Sequence, residues 1–292
     1  MENSDIIDIY KRIANENENI SEELVREART VSLKNLNILK NSRILDLGCG
    51  KGEMIGEVAS RYKGYNLHFT GVDFSSHMLR KAKKKTKDVR KNGHRVSFVC
   101  KECTDYLKTC DKGKYDVVIA SFLLSYVDSS KLFPLANKAL KKGGKFIILS
   151  ASDDHLRGIE KYFFRFVLRH PFLSSWGSIS RIVFDQKISR TIPLKKTREL
   201  LYAEGFSKVK GRSKPILGSV WFDDPVVFIG WLHRSVWATR YSSVVKENKK
   251  EIFFKKAAEY LEKNNVKIVN VPIECGKSFK FFWPAHIIIA EK

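Results

Sequence analysis

Ser42-Arg43-Ile44-Leu45-Asp46-Leu47-Gly48-Cys49-Gly50-Lys51-Gly52-Glu53 is the stretch that decides the fold. Arg43 to Leu47 is a short run of branched apolar residues, which predicts a buried strand. The run breaks at glycines, and helix-compatible residues follow from Glu53 to Tyr62. A strand therefore ends in a tight turn that feeds a helix. Glycine suits that turn because it tolerates φ > 0 and, lacking Cβ, lets a ligand approach the main chain. The N–H groups and dipole at the start of the next helix favour an anionic group. A dinucleotide fingerprint, G-x-G-x-x-G, would need glycine at position 53, where Glu53 stands.

The arrangement is instead D-x-G-x-G-x-G, with Asp46 two residues ahead of Gly48, Gly50 and Gly52. It resembles the first motif of the class I S-adenosylmethionine (SAM) dependent methyltransferases. Farther on, Leu67 to Val72 reads as a second strand that ends in Asp73. Asp73 lies at the distance a β-α-β unit needs for that tip to reach the ribose of a bound nucleoside. An ionised carboxylate can accept from both ribose hydroxyls. Asp73-Phe74-Ser75-Ser76-His77-Met78-Leu79 is again similar to the methyltransferase pattern. The resemblance implies that Phe74 flanks the adenine and that Met78 packs nearby.

Arg95 to Cys100 alternates as a third strand and is followed by Lys101-Glu102-Cys103. In the family an acidic residue here takes the adenine amino group and the next main-chain N–H meets a ring nitrogen, which implies Glu102 and Cys103; the family's usual glycine-aspartate pair is replaced by Lys101-Glu102. Tyr115 to Ser121 is the fourth strand. Leu132 to Leu140 reads as a helix closed by Lys141-Lys142-Gly143-Gly144, and Lys145 to Ser150 as a fifth strand. The alternation predicts an α/β fold, a doubly wound, mostly parallel sheet with its ligand at the carboxyl edge of the strands. The implied cofactor is SAM. Its expected contacts are Asp46, Gly48, Cys49, Gly50, Gly52, Asp73, Phe74, Met78, Glu102, Cys103 and Ser121.

Ahead of this core, Asp5 to Arg12 and Glu22 to Leu36 have helical apolar spacing, so residues 1–40 are expected to form an N-terminal helical arm and 41–292 the SAM-binding domain. Tyr10 and Arg12 of the arm are pocket candidates. Thr191 to Glu204, with Gly205 as its stop, resembles the family's last core helix, and a sixth strand, Ser207 to Gly211, is expected after it. Val266 to Cys275 and Phe281 to Ala290 supply closing strands. Two aromatic and basic insertions, 153–190 and 212–262, are expected to fold as short helices into a lid within the same domain.

Composition bounds the function. At 292 residues with 43% apolar and 12% aromatic content, the chain is long and apolar enough for a large globular core. The formal net charge of +22 predicts attraction to anionic partners, or reflects a lysine-rich composition. The lysine-dense tail from Arg80 to Lys91 reads as a solvated helix end, because no aromatic residue is interleaved for base stacking. Five cysteines without a regular framework argue for a reducing compartment. Cys100, Cys103 and Cys110 read as small residues around the cofactor rather than as metal ligands, since a lone Cys-x-x-Cys does not close a tetrahedral site. No signal peptide opens the chain, and the longest apolar run, Val117 to Val127, is too short for a bilayer; a cytoplasmic protein is expected.

Methyl transfer from a sulfonium needs near-attack geometry more than a reactive group of the protein. The segment Phe122 to Val127, where acceptor and methyl should meet, lacks the Asn/Asp-Pro-Pro-Tyr/Phe sequence of many methyltransferases that act on planar amino groups. The expected acceptor is a small, anionic or carrier-bound molecule, with O-methylation of a carboxylate or hydroxyl ahead of N- or C-methylation. Tyr126, His233 and Arg234 are the foremost candidates for base or substrate anchor, with His155, His170, Asp223 and Asp224 behind them; a guanidinium clamps carboxylates bidentately. RNA as acceptor is the second reading, motivated by the charge. A SAM-binding or membrane-surface protein without turnover is the third. The oligomeric state is left open.

Overall fold

The structure, a computed structural model, describes residues 19–34, 36–152, 192–222, 273–274 and 278–292, together with 169–170, 249, 252 and 256. The chain divides into two compact units. One comprises Val25–Ser152, Arg190–Lys214 and Ala285–Lys292, the other Met1–Leu24, Asp153–Ser189 and Pro215–Pro284.

The first unit carries the expected alternation. Helix α1 (Asn19–Leu33), whose first residues belong to the other unit, precedes β1 (Arg43–Leu47), α2 (Glu53–Arg61), β2 (His68–Asp73) and α3 (Ser76–Lys85). Then come α4 (Lys87–Lys91), β3 (Arg95–Cys100), α5 (Cys103–Lys108), β4 (Tyr115–Ser121), α6 (Ser129–Ala139), β5 (Leu140–Ala151) and α7 (Leu194–Ala203). Strands β6 (Lys210–Phe222) and β8 (Ser278–Glu291) close the sheet, whose order is β3-β2-β1-β4-β5-β8-β6. The first five strands pair in parallel and β8 pairs antiparallel with β5. A two-residue strand, β7 (Ile273–Glu274), pairs antiparallel with the start of β8.

Alternating residues of the strands feed two cores. Leu45, Leu47, Val118, Ala120, Phe146 and Ile148 pack with buried residues of α5, α6 and α7. Ile44, Phe69, Val117, Ile119, Ile147 and Leu149 pack with residues of α1 to α4. The sheet is thus covered on both sides, as a parallel sheet requires. The order reverses between β1 and β4, and the crevice at the carboxyl ends of these two strands is the topological switch point, where ligands of such sheets bind.

Three expectations change. Lys141 to Gly144 does not cap α6, which has already ended at Ala139. Leu140 pairs with Tyr115, and the register then jumps to Val117↔Lys145. The intervening residues form an irregularity in which Gly143 takes φ 73° and its N–H bonds to the Lys292 carbonyl. The arm helix ends at Leu33, before Leu36. The sixth strand continues to Phe222, so residues 212–222, expected in a helical insertion, are extended. The strand they extend has β8 as its neighbour in the sheet. The rest of both insertions, with the Asp5–Arg12 segment, lies outside the described residues.

Candidate functional site

The three glycines after β1 all take the left-handed conformation, with φ 65°, 52° and 79° at Gly48, Gly50 and Gly52. Their reasons differ. A Cβ on Gly48 would lie 2.9 Å from Leu123 Cδ1, and one on Gly52 would lie 2.9 Å from Thr86 Cγ2 and 3.3 Å from Ala82 Cβ. Gly48 therefore admits the segment after β4, and Gly52, the N-cap of α2, admits the end of α3. A Cβ on Gly50 would meet nothing within 4 Å. Of the three, Gly50 is the one that presents bare main chain to open space. Between them, Cys49 donates its N–H to the Val72 carbonyl at 3.0 Å. Its thiol is turned into the core, and a Cβ on Gly71 would lie 3.0 Å from its sulfur.

Asp73 holds this loop from the tip of β2. Its Oδ2 accepts the Gly50 N–H at 2.9 Å and its Oδ1 accepts the Ser75 N–H at 2.8 Å. Burial pushes its carboxyl above the usual range and these two N–H groups pull it back. A carboxylate has about four acceptor sites, so two remain for hydroxyl donors. Beside it Phe74 is 38% exposed. Met78, in the first turn of α3, is buried, and Ser75 caps that helix through the Met78 N–H.

Asp46 is the anomaly of the site. It is 1% exposed, and neither carboxylate oxygen has a hydrogen-bond partner. Burial pushes its pKa up to about 8, with the negative charges of Glu53 and Asp73 adding to the shift and Arg29 opposing it. Arg29 is itself buried on α1, where its Nε donates to Glu57 Oε1 on α2 at 2.6 Å. Buried acceptors without donors are costly. Ionised, Asp46 adds its charge to those of Glu53 and Asp73, so a cation placed here would stabilise that ionised form.

On the third strand's side, Lys101 donates its N–H to the Asp73 carbonyl at 3.1 Å. Glu102 is the N-cap of α5: its Oε2 accepts from Thr104 N at 2.7 Å, Thr104 Oγ1 at 2.5 Å and Asp105 N at 3.1 Å. The side chain expected at the adenine thus has one oxygen committed to the helix, and Oε1 is the atom left to face a ligand. Cys103, the first residue of α5, is buried. Burial holds the thiols of both Cys49 and Cys103 well above their ordinary value.

Ser121 is half-buried at the tip of β4 opposite Leu149, and Phe122 follows it with φ 55°. A bulky side chain in the left-handed region costs roughly 1–2 kcal/mol. The Phe122 N–H, bonded to the Leu149 carbonyl at 2.7 Å, helps hold it there. The turn buries Leu123 and Leu124 and leaves Tyr126 half-buried. Of the candidate bases and anchors, Tyr126 alone sits on this turn. His170 is half-buried within the other unit. His155, Asp223, Asp224, His233 and Arg234 lie outside the described residues, as do Tyr10 and Arg12.

Two residues of this site carry no local signal in the sequence. Arg29 looks like any basic residue on a helix, and its burial depends on Glu57, distant in the chain. Phe122 has no glycine or asparagine to announce a positive φ. Among the described residues there is no group of three metal-ligating side chains and no helix long and apolar enough to cross a membrane.

A family model described as a methyltransferase domain matches residues 38–169. The demethylmenaquinone methyltransferase of Staphylococcus saprophyticus is 28% identical over 217 residues, 70% of this chain and 89% of that protein. The demethylmenaquinone methyltransferase of Leptospira interrogans is 32% identical over 176 residues, 57% of this chain and 68% of the relative. A ubiquinone/menaquinone biosynthesis C-methyltransferase of a Geobacter strain is 30% identical over 132 residues, and the match spans about half of that relative, 54%. Among solved structures, the YcgJ protein of Bacillus subtilis superposes with a TM-score of 0.57 at 14% identity, covering 91% of this chain and 98% of the other. Phosphoethanolamine N-methyltransferase 2 of Haemonchus contortus, solved with phosphomonomethylethanolamine and S-adenosylhomocysteine, gives 0.52 at 16% identity, covering 91% of this chain and 52% of that one. At these identities the two structures speak for the fold alone.

Proposed function

The chain belongs to the class I SAM-dependent methyltransferases, and from that membership we propose that it methylates a ring carbon of a quinone-type small molecule in its reduced, hydroquinone form. The observation that carries the acceptor class is the match, along most of their length, to two methyltransferases named for demethylmenaquinone. The half-buried Phe122 after β4 supports it, because a flat ring is held by apolar contact and needs few polar anchors. The favoured acceptor atom thereby moves from oxygen to carbon.

The residues at the switch point fit SAM. The cation-seeking carboxylate of Asp46 suits the ammonium of its methionine end, the bare main chain at Gly50 suits close approach, and the two open acceptor sites of Asp73 suit the ribose. Phe74, Glu102 Oε1 and the start of α5 at Cys103 are assigned to the adenine. SAM, when bound, supplies an electrophilic methyl on a sulfonium, which departs as the neutral thioether. A quinone ring is itself electron-poor, so the acceptor must be the hydroquinone. Loss of a hydroxyl proton pushes electron density onto the neighbouring ring carbon. That carbon forms the new C–C bond as the C–S bond breaks, and its hydrogen then leaves as a proton, restoring the aromatic ring. Within this unit we assign the proton-accepting or anchoring work to Tyr126, which sits half-buried on the turn after β4. The chain's remaining task is to align carbon and methyl and keep water out.

The test supplies labelled SAM with a short-chain, water-soluble naphthoquinone, either oxidised or chemically reduced. Label on a ring carbon in the reduced sample only is the expected result. Label on a hydroxyl oxygen, or no transfer to the reduced ring, overturns the proposal.

A further inference from the structure

The exposed face of α3 and α4 concentrates the chain's charge. Between Ser76 and Lys91 stand eight basic side chains and one acidic one, so these sixteen residues carry seven of the chain's 22 net positive charges. A lysine-rich composition spread evenly would not give that density. The buried side of the ridge is apolar, with Met78, Leu79, Ala82 and Val89. Arg80, Lys83, Lys84, Lys85, Lys87, Arg90 and Lys91 are all exposed.

This crowding opposes helix formation. Arg80–Lys84, Lys81–Lys85 and Lys87–Lys91 are like-charge pairs four residues apart, a spacing that destabilises a helix. Burial together with the ammonium groups of Lys51 and Lys84 holds Lys81 below its ordinary pKa, so the ridge is electrostatically continuous with the glycine loop. Among the described residues, two of its cations pair with acidic side chains: Lys85 bonds to Glu53 at 3.0 Å and Lys91 to Asp88 at 2.8 Å. The helix starts three residues after Asp73, and the exposed ring of Phe74 stands at that end. A repulsive basic ridge that begins beside the proposed cofactor site is a surface awaiting an anionic partner.

We infer that the α3–α4 ridge, with Lys51, docks the enzyme on an anionic lipid surface from which its acceptor is drawn. The inference rests on the proposed acceptor class, since a quinone carrying any sizeable apolar tail partitions into a bilayer and has to be collected there. Basic side chains within a Debye length of an anionic bilayer add their attractions. A nucleic acid is the less fitting partner, because no aromatic side chain is interleaved along the ridge to stack on bases.

The experiment compares the full chain with a variant carrying Lys83→Gln, Lys84→Gln, Lys87→Gln and Arg90→Gln together, none of which belongs to the SAM site. Both are sedimented with phosphatidylcholine vesicles with and without phosphatidylglycerol, and both are titrated with an RNA hairpin. The parent should bind the phosphatidylglycerol vesicles, release them as salt rises, and outbind the variant by about a hundredfold or more. Thermal protection by SAM should be equal in the two proteins, which shows that the variant is folded. Equal vesicle binding by parent and variant overturns the inference, as does a parent that ignores phosphatidylglycerol or prefers the hairpin. Turnover of the water-soluble naphthoquinol separates the two proposals. Vesicle binding that follows the ridge without any such turnover supports the docking surface and overturns the acceptor class.

Discussion

Asp73 Oδ2 accepts the Gly50 N–H at 2.9 Å, so the tip of β2 fixes the loop that leaves β1. The carboxylate that faces the ribose in the proposed site also holds the open glycine in its left-handed conformation. In the proposed site, cofactor affinity and loop order would both depend on this side chain. Replacing Asp73 with alanine removes a charged acceptor from two main-chain donors, each such bond being worth about 1.5–3 kcal/mol. SAM affinity should fall by about 30-fold or more, with a lower melting temperature. Calorimetric titration checks the first and thermal unfolding the second; unchanged SAM affinity would remove Asp73 from the site.

Asp46 makes stability and binding respond to pH in opposite senses. Its folded-state pKa of about 8 lies above the ordinary 3.8, so between these values the folded protein holds a proton that the unfolded chain has lost. The free protein should therefore lose stability as pH rises through this window, by an amount of order a few kcal/mol. The SAM ammonium needs the ionised form, so SAM affinity should rise toward pH 8. Asp46→Asn should flatten both profiles, raise the melting temperature of the free protein above neutral pH, and weaken SAM binding. Melting curves and SAM titrations between pH 5 and about 9 measure both effects.

The three glycines should separate on substitution. Gly52→Ala forces a Cβ against Thr86, whose hydroxyl is bonded to the Ala82 carbonyl at 2.8 Å, and strains a φ of 79°. A loss of roughly 2–4 kcal/mol in denaturant unfolding is expected. Gly50→Ala carries only the backbone strain, roughly 1–2 kcal/mol, yet places a methyl on the open side of the loop. Its SAM affinity should fall more than its stability does.

Arg29 and Glu57 form a pair whose side chains are 5% and 26% exposed. Arg29→Met leaves the Glu57 carboxylate short of its partner and removes the cation that opposes the Asp46 shift. Unfolding free energy should drop by about 2–4 kcal/mol. Adding Glu57→Leu should recover much of it, while the weakened ionisation of Asp46 persists as a SAM-binding profile displaced to higher pH. Urea titration of the single and double variants, with the pH profile, tests both parts.

Much of the core was legible from local pattern. The Arg43–Leu47 run and its glycines, the Asp73 tip and the alternation through Ser150 each express a constraint that neighbours in sequence satisfy. A buried parallel strand needs branched apolar residues, and a strand-to-helix turn needs φ > 0. The bulge at Gly143 and the extension of β6 to Phe222 were not legible, because each is set by a strand distant in the chain: β4 and the Lys292 carbonyl for one, β8 for the other.

By itself the sequence determined the doubly wound sheet, the glycine loop at its switch point and the position of Asp73, since spacing along one β-α-β unit fixes all three. The tertiary structure alone decided what each glycine is for, that one Glu102 oxygen belongs to α5, that Phe122 takes a left-handed turn, and that Asp46 lies buried and unpartnered near the Arg29–Glu57 pair. Those properties depend on which atoms of other elements stand within about 3–4 Å, the range over which packing and hydrogen bonding act.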